Sequence, residues 1–321
     1  MNQLVDVSLF NHLNLSPVED HVFDVYTDRQ PQENENLGYI NRSTNKLTIE
    51  LANGHELNIT QSITELNSNS ETSSTGFICW KSSIHFLSWL QMERCPFKLE
   101  NSNLDIMELG SGVSGILASV LGPKCRSYIA SDQKHILKLL KRNIQENTSD
   151  FISTTINNDG FSKGKISTLK KLSSTNDVVK TSKSRKLLST NDTAKATILK
   201  STKVLSTIDV IEFDWEYLQH GIHEYQQLKT NYSSNLSSKP DLIISCDTMY
   251  NEFLLPHLIN AIDSLLSPSA AAIIIAQLRD CEMIEIFVNL VIKKNLNIYS
   301  IPNDLLSHQL NQGFVVYYIT L

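Results

Sequence analysis

Short apolar runs alternate with amphipathic stretches through most of the chain after residue 100. Runs typical of buried strands cover 104–109, 127–131, 207–213, 241–246, 271–276, 296–301 and 314–319. Between them apolar side chains recur every three or four residues, which predicts helices at 82–92, 114–121, 133–147, 252–266 and 280–293. The alternation predicts an α/β protein with a doubly wound, mostly parallel sheet of seven strands.

The last two strands are predicted to pair differently from the others. The stretch between them, 302–313, ends in a loop-like segment and leaves no room for a crossover helix. We therefore expect an antiparallel terminal hairpin. A dinucleotide-binding fold would instead continue with a second βαβαβ half.

The first 75 residues differ in pattern and predict a β-rich extension. Alternating stretches at 46–51 and 55–60 flank Asn53-Gly54, the strongest short hairpin signal. A polar linker is expected at 67–75, so the main domain would span 76–321.

Residues 161–203 form a basic segment with a repeated motif. K-L-S-S-T-N-D at 171–177 recurs as K-L-L-S-T-N-D at 186–192. Two copies are too few for a stacked repeat fold, and Ser, Thr and Lys cannot build a core. A disordered insertion is predicted. An inert expansion is favoured over a contact with ribosomal RNA.

Charge and cysteine content narrow the class of protein. The net charge is −6, although 161–208 holds eleven Lys and Arg against two Asp, so the remaining chain is strongly acidic and suits a basic partner. No apolar run reaches eighteen residues, and no secretory signal is visible at the start. Five scattered cysteines without metal spacing predict reduced thiols, no metal, and a cytosolic or nuclear protein. We expect a monomer.

A glycine loop follows the strand at 104–109. Gly110-x-Gly112-x-x-Gly115 fits both dinucleotide and S-adenosylmethionine binding. Glu108, at the end of the strand, would repel a pyrophosphate but attract the ammonium group of S-adenosylmethionine. The sequence thus favours S-adenosylmethionine over NAD, with Glu108, Gly110, Ser111 and Gly112 at the cofactor.

Four further residues are predicted to face this cofactor. Asp132 ends the second strand about twenty residues later, where a carboxylate can accept the ribose hydroxyls, although it could instead cap the next helix. Asp214 and Trp215 follow the third strand and could hold an adenine, with core packing as the alternative for the indole. Trp80 precedes a helix and could cover the cofactor or serve as a helix-start contact.

Asp247 and Tyr250 follow the strand at 241–246 and point to the substrate. The carboxyl end of such a strand opens into the ligand crevice of an α/β sheet. A carboxylate and a phenol there could hold a lysine amine, although Asp247 could merely cap the helix that follows.

Three other functions remain open on the residues alone. A nucleic-acid amine methyltransferase of the D/N-P-P-Y type is disfavoured because Thr248 and Met249 replace the prolines and the body is acidic. An NAD-dependent dehydrogenase is disfavoured by Glu108. A non-catalytic interaction protein is favoured by the repeats but disfavoured by the set of pocket residues.

Taken together, these motifs resemble the family-16 seven-β-strand methyltransferases. Trp80, E-L-G-S-G-V-S-G from Glu108, Asp132, Asp214-Trp215 and D-T-M-Y at 247–250 carry the resemblance over roughly 76–300, apart from the insertion. It implies direct methyl transfer from S-adenosylmethionine to a protein lysine. With the N-terminal extension, it implies a large-subunit ribosomal protein as substrate. The cofactor contacts that it implies are Trp80, Gly110, Ser111, Gly112, Asp132, Trp215 and Cys246.

Overall fold

The computed structural model describes residues 5–30, 38–51, 53–67, 75–99, 103–148, 206–231 and 238–321. Most of the predicted linker and the whole predicted insertion at 161–203 lie outside the described residues. The proposed division of the chain at residue 75 accordingly stays a prediction.

Ten strands and eight helices make up the described fold. The strands are β1 (Asn11–His12), β2 (Lys46–Glu50), β3 (Glu56–Thr60), β4 (Asp105–Leu109), β5 (Ser127–Asp132), β6 (Thr207–Glu212), β7 (Leu242–Cys246), β8 (Ala271–Gln277), β9 (Asn297–Ser300) and β10 (Phe314–Thr320). The helices are α1 (Val18–Asp28), α2 (Ile63–Leu66), α3 (Lys81–Leu90), α4 (Ile116–Leu121), α5 (Lys134–Asn147), α6 (Leu218–Asn231), α7 (Leu255–Leu265) and α8 (Cys281–Lys293).

The main sheet has eight strands in the order β1-β9-β10-β8-β7-β4-β5-β6. Strands β4 to β8 pair in parallel, whereas β10 runs antiparallel to both β8 and β9. The doubly wound sheet and its antiparallel terminal pair are confirmed. One edge differs from the prediction, because the two-residue strand β1 pairs with β9 and adds an eighth strand. Two residues are too short to show an alternating pattern.

Helices cover both faces of the sheet. Residues of α3, α4, α5 and the β2–β3 hairpin form the apolar core on one face, and residues of α1, α6, α7 and α8 form the core on the other. Strands β4, β7 and β8 are buried along their whole length. Burial on both faces explains why their sequences are continuous apolar runs rather than alternating ones.

Three helices were not predicted: α1, α6 and the four-residue helix α2, which is too short to show a periodic pattern. In α1, Val18, Val22 and Val25 form the buried stripe inside a segment otherwise rich in Asp and Glu. In α6, the buried side chains include Tyr225 and Leu228 among many polar residues. Sparse apolar stripes of this kind give a weak periodic signal, and tertiary packing determines the helix.

The predicted hairpin is confirmed, with Lys46 opposite Thr60 and Glu50 opposite Glu56. Helix α5 covers its free edge through two side chains one turn apart. Asn143 accepts from the Thr60 amide at 2.9 Å and donates to the Thr60 carbonyl at 2.7 Å, and Asn147 does the same for Asn58 at 2.8 and 2.9 Å. Asn143 also donates to the Val113 carbonyl at 2.7 Å. The extension is therefore held directly to the loop that follows β4.

Candidate active site

A cavity of about 280 Å³ opens at the carboxyl ends of β4 to β8. This edge is where parallel α/β sheets bind ligands, because the loops after the strands converge there. The predicted residues in its wall are Trp80, Gly110, Ser111, Gly112, Asp132, Asp214, Trp215, Cys246, Asp247 and Tyr250. The structure thus brings ten of the eleven predicted site residues together.

The glycine loop forms the floor of this cavity. Gly110 has φ of +72°, and a Cβ there would lie 2.7 Å from Thr248 Cγ2 and 3.1 Å from Trp215 Cζ2. Gly112 has φ of +59°. Only glycine combines this backbone conformation with such a close approach.

Three amides of the glycine loop donate to backbone carbonyls of neighbouring segments. Gly110 and Ser111 both donate to the Ser131 carbonyl, and Val113 donates to the Gly76 carbonyl at 2.8 Å. These three N–H groups are therefore already used, and the loop would contact a ligand through its closely approaching backbone instead. Helix α4 begins only at Ile116.

Asp132 holds the loop and faces the cavity. One carboxylate oxygen accepts from Gly112 N at 2.8 Å and the other from Gln133 N at 2.8 Å. Helix α5 begins after Gln133, so Asp132 does not cap it. Burial raises the pKa of Asp132 to about 6, against the lowering effect of the two backbone N–H groups. Each oxygen retains acceptor capacity for a ribose hydroxyl.

Two aromatic side chains, Trp215 and Trp80, line the cavity. Trp215 is partly buried against the core and contacts the surface above Gly110, so the packing role and the cavity role coincide. Asp214 caps the turn that follows, accepting from Glu216 N at 3.0 Å, and also accepts from Gln133 Nε2 at 3.0 Å. Trp80 precedes α3 and donates from its indole to the Thr75 carbonyl at 3.1 Å.

Glu108 is the exception, because it does not line the cavity. Its side chain lies behind the glycine loop at 2% exposure and accepts from the Tyr128 hydroxyl at 2.9 Å. Burial raises its pKa to about 7, although the hydrogen bond from Tyr128 lowers it. The structure gives Glu108 a position supporting β4 and β5, so the electrostatic contact expected with a ligand ammonium is not part of this arrangement.

Asp247 faces the cavity but is already paired with a cation. Its Oδ1 accepts from Gln277 N at 3.1 Å and lies 3.0 Å from Arg279 Nη2. Its Oδ2 is buried from solvent. Burial raises the pKa of Asp247, while Arg279 and the Gln277 amide oppose the shift. The nearby Ser82 hydroxyl also lowers the pKa of this carboxyl group. Asp247 does not cap the following turn, since Asn251 does so.

Cys246 and Tyr250 complete the predicted set. Burial raises the pKa of the Cys246 thiol well above its usual value, and nearby Glu108 acts in the same direction. The thiol therefore stays protonated and serves as a packing surface rather than a nucleophile. Tyr250 is 39% exposed at the mouth of the cavity.

Arg279 is the principal residue that the sequence analysis missed. It lines the cavity, and its guanidinium carbon lies 5.2 Å from the centre of the Trp80 ring. Its position two residues after β8 was the available signal, because residues that follow β4, β6 and β7 also line the cavity. Gln133 and Thr248 were missed as well, each directly beside a predicted residue.

The strand order, the glycine loop and the cavity define a class I S-adenosylmethionine-dependent methyltransferase. A lysine methyltransferase family model matches residues 58–179. The match confirms the predicted resemblance and supports S-adenosylmethionine-dependent methyl transfer to a lysine.

Relatives support the same assignment over nearly the whole chain. Ribosomal lysine N-methyltransferase 5 of Vanderwaltozyma polyspora is 27% identical over 345 residues, covering 94% of this chain and 96% of that protein. The protein of that name from Lachancea thermotolerans is 24% identical with the same coverage. That of Zygosaccharomyces rouxii is 38% identical over 112 residues, covering 30% of this chain and 35% of that protein.

Solved structures are similar at a coarse level. The fibrillarin of Aeropyrum pernix, crystallised with S-adenosyl-L-methionine, gives a TM-score of 0.41 at 11% identity, covering 88% of this chain and 97% of that one. A methyltransferase from Pyrococcus furiosus gives a TM-score of 0.38 at 11% identity, covering 74% and 81%. Within the described ranges, no helix is both long and apolar enough to cross a membrane.

Proposed function

We propose that this enzyme methylates a lysine of a large-subunit ribosomal protein. Relatives that span almost the full chain carry the name ribosomal lysine N-methyltransferase 5. A ribosomal protein is a basic partner, which agrees with the acidic balance of the chain outside 161–208. The single observation that carries the proposal is the cavity at the carboxyl ends of the parallel strands, where the glycine loop, Asp132 and the D-T-M-Y segment at 247–250 line one wall.

The cofactor would occupy the floor of the cavity. Gly110, Ser111 and Gly112 would lie along it, Asp132 would accept from its ribose, and Trp80 and Trp215 would enclose it, with Asp214 and Cys246 beside them. When bound, S-adenosylmethionine supplies a methyl group on a sulfonium that departs as a neutral thioether. Glu108 would support the cofactor site indirectly, because it holds β4 to β5 through its hydrogen bond with Tyr128.

The remaining residues act on the lysine. Its amine must lose a proton before it can form a bond to carbon, and at pH 7 this costs roughly 4–5 kcal/mol for a free lysine with pKa of about 10.4. Asp247 would help to orient the amine from the cavity wall, with Tyr250 lining the entrance. The proton leaves to solvent through the open mouth.

The proposal is tested with labelled cofactor and large-subunit ribosomal proteins from cells that lack the enzyme. One labelled protein, with the label on a lysine side chain, is the expected result; label on nucleic acid, or uptake of NAD in calorimetry, would contradict it.

An Asp247→Asn variant tests the assignment of the lysine subsite. It should lose at least about a hundredfold in kcat, because the amine loses its charged acceptor, while the Kd for S-adenosylmethionine stays within about twofold. Glu65→Gln, a change on the short helix α2, provides the control that leaves both unchanged. A large loss of cofactor affinity in Asp247→Asn would move this residue to the other subsite.

A further inference from the structure

Gln133 connects the ends of two neighbouring strands in the wall of the cavity. It directly follows β5, and its side-chain Nε2 donates to Asp214 Oδ2 at 3.0 Å, two residues after β6. Its backbone N–H donates to Asp132 Oδ1 at 2.8 Å. One residue therefore contacts the two carboxyl groups that line the cavity at the ends of β5 and β6.

Two donors fix the carboxylate of Asp214. Its Oδ1 accepts from Glu216 N at 3.0 Å, and its Oδ2 accepts from Gln133 Nε2. The reverse orientation of the Gln133 amide would place a carbonyl oxygen against a carboxylate oxygen, so the amide nitrogen is the group that faces Asp214. Asp214 is half-buried and lines the cavity, and each of its oxygens can accept more than the one bond that it makes here.

Repulsion between the two carboxylates gives the Gln133 contact its importance. Burial is the main cause of the raised pKa of Asp132, and the nearby Asp214 carboxylate raises it further. Two such groups tend to turn away from each other. Because Gln133 donates to both, it offsets this repulsion and keeps the Asp214 carboxylate in the cavity wall.

A carboxylate that is held in one orientation distinguishes donors from acceptors. The adenine base of S-adenosylmethionine carries an exocyclic amine, which donates. Hypoxanthine carries a carbonyl oxygen in the same place, which would face the carboxylate with no proton between them. A site built to accept from a ligand N–H strongly rejects an analogue that lacks it.

We propose that Gln133 is a positioning residue for base selection, which holds Asp214 as the acceptor for the exocyclic amine and so makes the enzyme select adenine over hypoxanthine. This inference rests on the proposed function for the place of the cofactor in the cavity. Trp215, directly after Asp214, lines the same cavity and offers an apolar surface to the base. The lysine subsite is not involved.

Calorimetry of the full-length enzyme with S-adenosylhomocysteine, the product of methyl transfer, and with S-inosylhomocysteine measures this selectivity without a protein substrate. Wild type should bind the adenosyl compound at least about a hundredfold more tightly. Gln133→Leu removes the amide at similar volume, so it should weaken the adenosyl compound about tenfold and the inosyl compound less than about twofold. Gln145→Leu, the same change at an exposed position of α5, should leave both Kd values unchanged.

Asp214→Asn shows whether Gln133 acts through Asp214. A carboxamide can accept from the amine or donate to the carbonyl, so the preference for adenine should nearly disappear. The double variant should bind S-adenosylhomocysteine within about twofold of Asp214→Asn alone. A further loss of about tenfold would place Gln133 against the base itself and overturn the proposal.

Two other results would also overturn it. One is equal weakening of both compounds by Gln133→Leu, which a merely structural role predicts. The other is a wild-type enzyme without preference for adenine. If wild type labels no lysine, the proposed function fails, but the two Kd values and their ratio are measured independently of that result.

Discussion

Asn143 is the side chain that joins the N-terminal hairpin to the glycine loop, and its removal provides a quantitative test of the fold. The side chain is fully buried and forms three hydrogen bonds, two with the backbone of Thr60 and one with the carbonyl of Val113. Asn143→Ala leaves these backbone groups without their partner. Asn147, one turn later, forms three hydrogen bonds of the same kind but is only half-buried.

The magnitude follows from the difference in burial. An unsatisfied buried polar group costs about 1–3 kcal/mol, and water can replace the lost partner where the site is open. Val113 is buried whereas Thr60 is half-exposed, so we expect Asn143→Ala to lower the free energy of unfolding by about 3 kcal/mol and Asn147→Ala by about 1 kcal/mol. For a domain of this size, these losses correspond to decreases in Tm of roughly 6–12 °C and 2–4 °C.

Thermal unfolding followed by far-ultraviolet circular dichroism measures both values on the same protein. The Asn143→Ala variant should also bind S-adenosylmethionine more weakly than Asn147→Ala, because only Asn143 contacts the glycine loop. Equal decreases in Tm for the two variants would refute the argument from burial. An undiminished Tm in Asn143→Ala would refute the contact itself.

Two further predictions concern buried carboxyl groups. Burial raises the pKa of Glu108 to about 7. The stability that this group contributes is therefore fully present below its ordinary pKa and is lost as pH rises through 7. Relative to wild type, Glu108→Gln should gain stability between about pH 5 and 8, as measured by urea unfolding. A constant difference across that range would contradict it. The pKa of Asp132 is raised to about 6, and protonation removes the ability of the carboxylate to accept hydrogen bonds from the ribose. The affinity for S-adenosylmethionine, measured by calorimetry, should therefore fall below pH 6 in wild type but not in Asp132→Asn. Parallel pH dependence in both proteins would rule out this residue as the titrating group.

The sheet could be predicted because its strands carry their own signals. β4, β7 and β8 are buried on both faces, which gives continuous apolar runs, and the glycines after β4 mark the turn. Helix α6 could not, because it buries a few side chains among many polar ones. Its existence depends on packing against β6 and the neighbouring turn, which local spacing does not encode.

The site residues that could be predicted also differ from the others in how far their position depends on tertiary contacts. Asp132, at the end of β5, and Asp247, directly after β7, could be predicted to lie near each other because chain order alone places them at one edge of the sheet. Glu108 was misplaced, since the direction of a side chain in a fully buried strand depends on which face its neighbours leave open. Arg279 was missed because its partners, Asp247 and Trp80, are distant in sequence.

The end of α5 and the start of β6 lie at the amino ends of the parallel strands, across the sheet from the cavity. Ser206 is fixed there by donating to the Pro123 carbonyl at 3.1 Å, and the Thr148 hydroxyl donates to the Ile144 carbonyl at 2.6 Å. Neither hydrogen bond involves a residue that lines the cavity. The described residues on either side of the segment that carries the K-L-x-S-T-N-D copies are therefore held by contacts that lie away from the cavity-lining residues.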